Sequence, residues 1–313
     1  MRRALLLCFL PILASCSINK MAINAVSNAL TGSGSSDVFT GDSDPELVGA
    51  AIPFAIKMYE TLLSQNPEHQ GLRLTTGSLF VMYANAFVQA PAERLDSIDY
   101  YEERIAGLDR AKKLYLRGYG ILLSALEKKY PGFSDAHVED GSIYALLKKC
   151  KKEDVPLLYW TVAGGLSAYS IDVFDFFLGA NIPQWGAMIA KAYELDPDFN
   201  NGAIDDFYIL FYASMPESLG GDKEKAETHF KLAVEKTKGL SAGPYVSYAS
   251  AICVPAHDYD KFKETLEKAL AVDPDEDPSA RLVNIISQRK ARFMLDNAYK
   301  YFPNLPYNGE GDW

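Results

Sequence analysis

From Pro45 onward the apolar residues recur at spacings of three and four, not two. That period places them on one face of a helix. Alternating runs rich in β-branched and aromatic residues are nearly absent, so the pattern predicts an all-α chain. A finer pattern repeats within it: a core residue, a second four later, a third three later, and a proline five beyond that. It occurs as Ala55, Tyr59, Leu62, Pro67; as Tyr119, Leu123, Leu126, Pro131; and as Trp185, Ile189, Ala192, Pro197. It returns as Phe262, Leu266, Ala269, Pro274 and as Ala291, Leu295, Ala298, Pro303, while Ala226, Phe230, Ala233 is followed by Lys238 in place of the proline. Offsets of four and seven put three side chains on one helical face. Proline cannot continue a helix and drives its predecessor out of the α region. Each occurrence therefore predicts a helix with one buried stripe and a fixed stop. Asp222, after Gly220-Gly221, is placed to cap the helix that begins KEKAETHF.

The gaps between first positions are 64, 66, 41, 36 and 29 residues. The two long ones are about twice a 34-residue repeat. The stretches YELDPDFNNG and LAVDPDEDP resemble the second helix of a tetratricopeptide repeat. The first position is often large (Tyr119, Trp185, Phe262) where that repeat prefers alanine. The expectation is a degenerate tetratricopeptide-like helical repeat array, built as an α-solenoid or as an irregular helical bundle.

One segment breaks the amphipathic pattern. Residues 155–186, VPLLYWTVAGGLSAYSIDVFDFFLGANIPQWG, are apolar almost all round, with glycines at 164, 165 and 179. Such a segment is a buried central helix pair, or it faces a partner or an apolar ligand. In the second case Tyr159, Trp160, Tyr169 and Trp185 are the candidate lining, with Asp172 or Asn181 as polar reference points.

The N-terminus changes the picture of where the chain works. Met1-Arg2-Arg3 precedes an apolar run from Ala4 to Ala14, too short to span a bilayer and arranged as a signal peptide. Leu13-Ala14-Ser15-Cys16 looks like the lipobox of bacterial lipoproteins, in which the cysteine becomes the first mature residue and carries acyl chains. Each buried methylene contributes about 0.8 kcal/mol, so such chains hold a protein on a membrane. No later run was expected to reach spanning length. The organisation read from this is a signal peptide over 1–15, a lipid-anchored flexible tether over 16–44 containing TGSGSS, a helical-repeat domain over 45–302 and a tail over 303–313. Losing Arg2 and Arg3 with the signal takes the net charge from −10 to −12. That balance argues against a nucleic-acid partner and against polybasic docking on lipid. Cys150 and Cys253 remain, either paired in an oxidising periplasm or buried as free thiols.

Catalytic signals are weak. Gly239-Leu240-Ser241-Ala242-Gly243 matches a nucleophile elbow, which needs a strand before it, whereas a helix is expected here. Asp273, Asp275 and Asp277 open like a calcium loop, but Pro278 and Asn284 occupy the positions of its glycine and its glutamate. His69, His137, His229 and His257 are scattered. No phosphate or dinucleotide fingerprint is present. Neither an enzyme, a metal nor a cofactor is expected.

Taken together, the lipobox at Cys16, LYWTVAGG at 158–165, YELDPDFNNGA at 193–203, PESLGGDKEKAETHFKLAVEKTKG at 216–239, and DKFKETLEKALAVDP running on to RLVNIISQRKARFMLDNAYKYF resemble the T component of TRAP transporters. The likeness covers most of the chain after the signal. It departs near Leu166–Tyr169, where the family's usual tryptophan is shifted or replaced, and at the acidic turn 273–278. The resemblance implies a periplasmic, lipid-anchored accessory of a TRAP-type uptake system. It further implies a homotrimer that binds the periplasmic solute-binding protein, the P component. An aperture through the helical body would pass an apolar or organic-acid ligand. The alternative is a tetratricopeptide-like lipoprotein scaffold for envelope protein assembly.

Overall fold

The computed structural model describes residues 21, 23–32, 34, 37–95 and 98–305. Cys16, the signal segment and the tail beyond residue 305 lie outside the described residues.

The described chain is all-α, as the spacing predicts, and has no strand among the described residues. The principal helices are α1 (Pro45–Gln65), α2 (Gln70–Ala84), α3 (Tyr101–Lys129), α4 (Val155–Ile171) and α5 (Ile182–Leu195). They are followed by α6 (Ala203–Ser214), α7 (Lys223–Lys236), α8 (Gly243–Tyr248), α9 (Tyr259–Ala271) and α10 (Arg281–Asp296). Asp44 caps α1 by accepting from the Leu47 amide at 3.0 Å, with Pro45 at the first helical position. Asp222 does the same for α7 toward Lys225 at 3.1 Å, where the sequence places it. Pro67, Pro131 and Pro197 each fall two residues past a helix end, at Gln65, Lys129 and Leu195.

The stripes are buried largely as read. Trp185, Ile189 and Ala192 are at most 1 % exposed, and Phe262, Leu266 and Ala269 are fully buried. Two differ. In α3 the deepest row is Ala111, Tyr115, Leu122 and Ala125, while Tyr119 and Leu123 flank it half-buried. The reason is that α3 is gripped from two sides. Gly77 and Gly118 let α2 and α3 close so tightly that a Cβ on Gly118 would lie 2.8 Å from the Gly77 carbonyl oxygen. On the other side α4 runs antiparallel to α3, joined by Lys129–Asp154 at 2.6 Å and Lys112–Asp172 at 2.8 Å. The last stripe is cut short because α10 ends at Asp296 and Ala298 sits in a following 3₁₀ turn.

The chain closes on itself. Leu282 and Ile286 of α10 pack into the N-terminal core with Val48, Ile52 and Ile56 of α1. Arg289 is ion-paired with Glu46, and Arg281 donates to the Gly41 carbonyl at 2.8 Å. A central core spans α2 to α6, and a C-terminal core spans α6 to the residues after α10. Cys150 lies against the first and Cys253 in the second, both free and buried. The 16–44 stretch is not free of the body where it is described. Residues 23–31 are helical. Asn66 Nδ2 donates to Asn24 Oδ1 at 3.1 Å, His69 bonds Asn28 at 2.9 Å, and Tyr59 OH donates to the Leu30 carbonyl at 2.8 Å. Helix α1 is also long and apolar enough, by length and composition, to cross a bilayer, a length the expectation reserved for none of the later runs. Its inner face is nonetheless packed against α2 and α10 through Val48, Ile52, Ala55, Ile56 and Tyr59.

Candidate functional site

Closure of the chain sets two elements from opposite ends of the sequence against each other. One is the stretch from the end of α2 to the start of α3. The other is α10 with the segment after α8. Both approaches are π-helical, at Asn85–Gln89 and Ala249–Cys253, a local widening common at functional sites. Between them lies a cavity of about 380 Å³ lined by Glu93, Leu95, Arg104, Ser250, Lys290, Phe293, Met294, Lys300 and Tyr301. Three cations and one carboxylate border an apolar wall of Leu95, Phe293, Met294 and the Tyr301 ring. Burial, with the Glu93 charge beside it, raises the Tyr301 hydroxyl above the usual phenol range.

Asp206 of α6 lies outside this lining but within reach of its charges. The Lys290 charge also bears on Asp206, and the Asp206 charge bears on Tyr159. Asp206 Oδ1 is buried without a hydrogen-bond partner. Burial pushes its carboxyl up to about 6, against the opposing pull of Ser247 and Lys290. Tyr159 sits in an aromatic nest, 5.2 Å from Trp160, 5.3 Å from Phe199 and 6.5 Å from Phe207 between ring centroids. The cavity itself therefore offers three cations beside an apolar, aromatic wall. It can hold an amphiphilic organic molecule by its polar end while burying its apolar part.

Of the five residues read as a groove, the structure brings together only Tyr159 and Trp160. Trp185 is 1 % exposed, edge-on to Tyr119 at 5.8 Å, and seated on Gly165, where a Cβ would come within 2.4 Å of its ring. It is a core residue. Tyr169 is half-buried on the far side of α4, near Gly179. Asp172 lies at the surface and does not face a groove. With Asp175 it receives Lys112 Nζ, at 2.8 and 2.9 Å.

That ion pair shapes a second feature. Asp175 Oδ1 accepts from the Leu178 amide at 3.1 Å, and Asn181 Nδ2 donates to the Phe177 carbonyl at 2.7 Å. The bend so fixed displays Val173, Phe174, Phe176 and Phe177 at 53, 94, 81 and 83 % exposure. Three phenylalanines held in water by a polar frame mark an interaction surface. The two readings of residues 155–186 thus divide along the segment: α4 and Trp185 are core, and the bend between them is displayed. Asp206 and the cavity cations were not singled out from the sequence. Their positions become special only when α10 returns to the start of the chain.

The described residues form an all-α body with an open crevice lined by cations and apolar side chains and with a displayed aromatic tip. The sequence profile of the TRAP transporter T-component matches residues 41–302, and the chain belongs to that family. An uncharacterised protein of Treponema pallidum (strain Nichols) is 35 % identical over 303 residues, covering 92 % of this chain and 94 % of the relative. The protein is accordingly an accessory component of TRAP-type transport.

Proposed function

We propose that the protein is anchored to a cell-envelope membrane through acyl chains on Cys16 and works in the periplasm. There it docks the solute-binding protein of its TRAP system and passes it an apolar or organic-acid ligand. The observation that carries the docking is the aromatic tip at 173–177, framed by Lys112, Asp172 and Asp175. Exposed phenylalanines give no stability to the free protein and gain their apolar burial only against a partner. The cavity fits the ligand: Arg104 and Lys290 suit a carboxylate, and Phe293, Met294 and Leu95 suit an apolar body. The cavity lining is one of charge and apolar contact, so the reading is one of binding.

The test is affinity capture of the full-length protein from its own detergent-solubilised envelope, with mass spectrometry of what accompanies it. A stoichiometric solute-binding protein is expected with the parent. It should be lost with Phe174→Ser/Phe177→Ser, whose unfolding free energy should stay within about 0.5 kcal/mol of the parent because both rings are exposed. Envelope assembly factors in place of the solute receptor would favour the scaffold reading.

A further inference from the structure

The anchor and the fold together constrain how the body meets the membrane. The inference rests on the reading that Cys16 is acylated. Met21, the first described residue, lies only five residues after Cys16, and five residues fully extended reach about 18 Å. Nothing after that point can lengthen the tether, because the helix over 23–31 is already tied to α1 and α2 through Asn24, Asn28 and Leu30. The Gly/Ser stretch at 31–36 comes after this docking point and adds no reach. The acylated end therefore holds the C-terminal end of α1 and the turn into α2 within one short stride of the lipid.

From that end α1 runs back along a surface suited to lie on lipid. Leu47 and Phe54 on the outer face of α1 are 59 and 76 % exposed, with Ala50 and Ala51 exposed between them. Spacings of four and three align Leu47, Ala51 and Phe54 in one stripe. Val26 and Met21, on the docked N-terminal segment, are exposed as well. Lys57, at the C-terminal end of the stripe, pairs with Glu60 at 2.9 Å, and its long stem can carry that charge to headgroup level. The stripe is not needed for the core, which α1 meets with its opposite face.

We infer that the outer face of α1, with the docked segment 21–31, lies against the lipid surface, so that the body sits on the bilayer and does not stand off on a stalk. The aromatic tip is then carried away from the lipid. It follows α4, and α2 and α3 are layered between α1 and α4.

The experiment uses the mature acylated protein in vesicles of phosphatidylcholine and phosphatidylglycerol with brominated acyl chains. Ala51→Cys and Phe174→Cys variants carry an environment-sensitive fluorophore, with Cys150 and Cys253 buried and so slow to label. Flotation of the protein with the vesicles is scored separately. The expected result is flotation, at least twofold quenching at position 51 with a blue-shifted emission, and no quenching at 174. Flotation without quenching at 51, or equal quenching at both sites, overturns the apposition while leaving the anchor standing. Failure to float overturns both. Blue-shifted emission at 51 in unacylated Cys16→Ser protein without vesicles overturns the inference in favour of a second copy on this face.

Discussion

Asp205 and Asp206 are neighbours on α6, yet their carboxyls live in opposite conditions. Asp205 points toward α5 and α7, is fully buried, and is fully paired. It accepts from His229 Nδ1 at 2.7 Å, Lys236 Nζ at 2.8 Å and Tyr193 OH at 3.1 Å. Burial alone would raise its pKa, but the His229 and Lys236 hydrogen bonds hold it below the ordinary aspartate value. Asp206 points the other way, toward α8 and the cavity side of α10. Burial raises it to about 6, and one oxygen has no donor at all. One helix thus carries a carboxylate that welds two helices and another kept under strain in the interior. Burial is shared; what differs is whether the neighbours bring donors.

The largest effect should come from breaking the satisfied side. Asp205→Ala leaves His229 without its carboxylate, strips Lys236 of its buried partner and removes three charge-assisted bonds. A loss of about 3–5 kcal/mol in unfolding free energy is expected from chemical denaturation. Lys236→Met should cost less, about 2 kcal/mol, because His229 and Tyr193 remain on Asp205. Lys236 also donates to the Pro197 carbonyl at 2.6 Å, so this variant should loosen the turn between α5 and α6 as well. A Lys236→Met variant as damaging as Asp205→Ala would mean that the lysine, and not the network, is what α6 and α7 depend on.

The same contrast shows what the sequence makes legible. The helix stops at Gln65, Lys129 and Leu195 could be placed because Pro67, Pro131 and Pro197 act locally, through the residue before them. The Phe262 and Trp185 stripes were readable because each keeps to one face of its helix, at offsets of four and seven. The α3 stripe was read one residue off at Tyr119 and Leu123, with Leu126 buried as read, because two neighbours share that helix, and their glycine contact at Gly77 and Gly118 is non-local. In 155–186 the apolar character was plain. Whether Phe174 or Trp185 is the buried ring depends on the Lys112 clamp from sixty residues earlier. Nothing in the sequence distinguishes Asp205 from Asp206. Only the lysine of α7 and the return of α10 make one a weld and the other a titrating group.

The smallest and most diagnostic change is Asp206→Asn. An aspartate whose folded pKa lies near 6, against an ordinary value of 3.8, binds more protons folded than unfolded between those limits. Unfolding free energy therefore falls as pH rises through that window, and the full cost is present above pH 6. Asparagine cannot ionise, so the variant should be more stable than the parent at pH 8, by about 1–2 kcal/mol after allowing for its own unpartnered amide. The advantage should shrink between pH 6 and 4 and vanish below. Urea unfolding at pH 8, 6 and 4 measures it. The Asp205 contribution runs the other way: its depressed pKa stabilises the fold above the ordinary aspartate range, and that stability is lost only as pH falls below it. A parent that gains stability on mild acidification and loses it in stronger acid would carry both signatures. An Asp206→Asn variant with no advantage at pH 8 would show that the carboxyl finds a donor in solution, and the cavity side of α6 would then be as satisfied as the other.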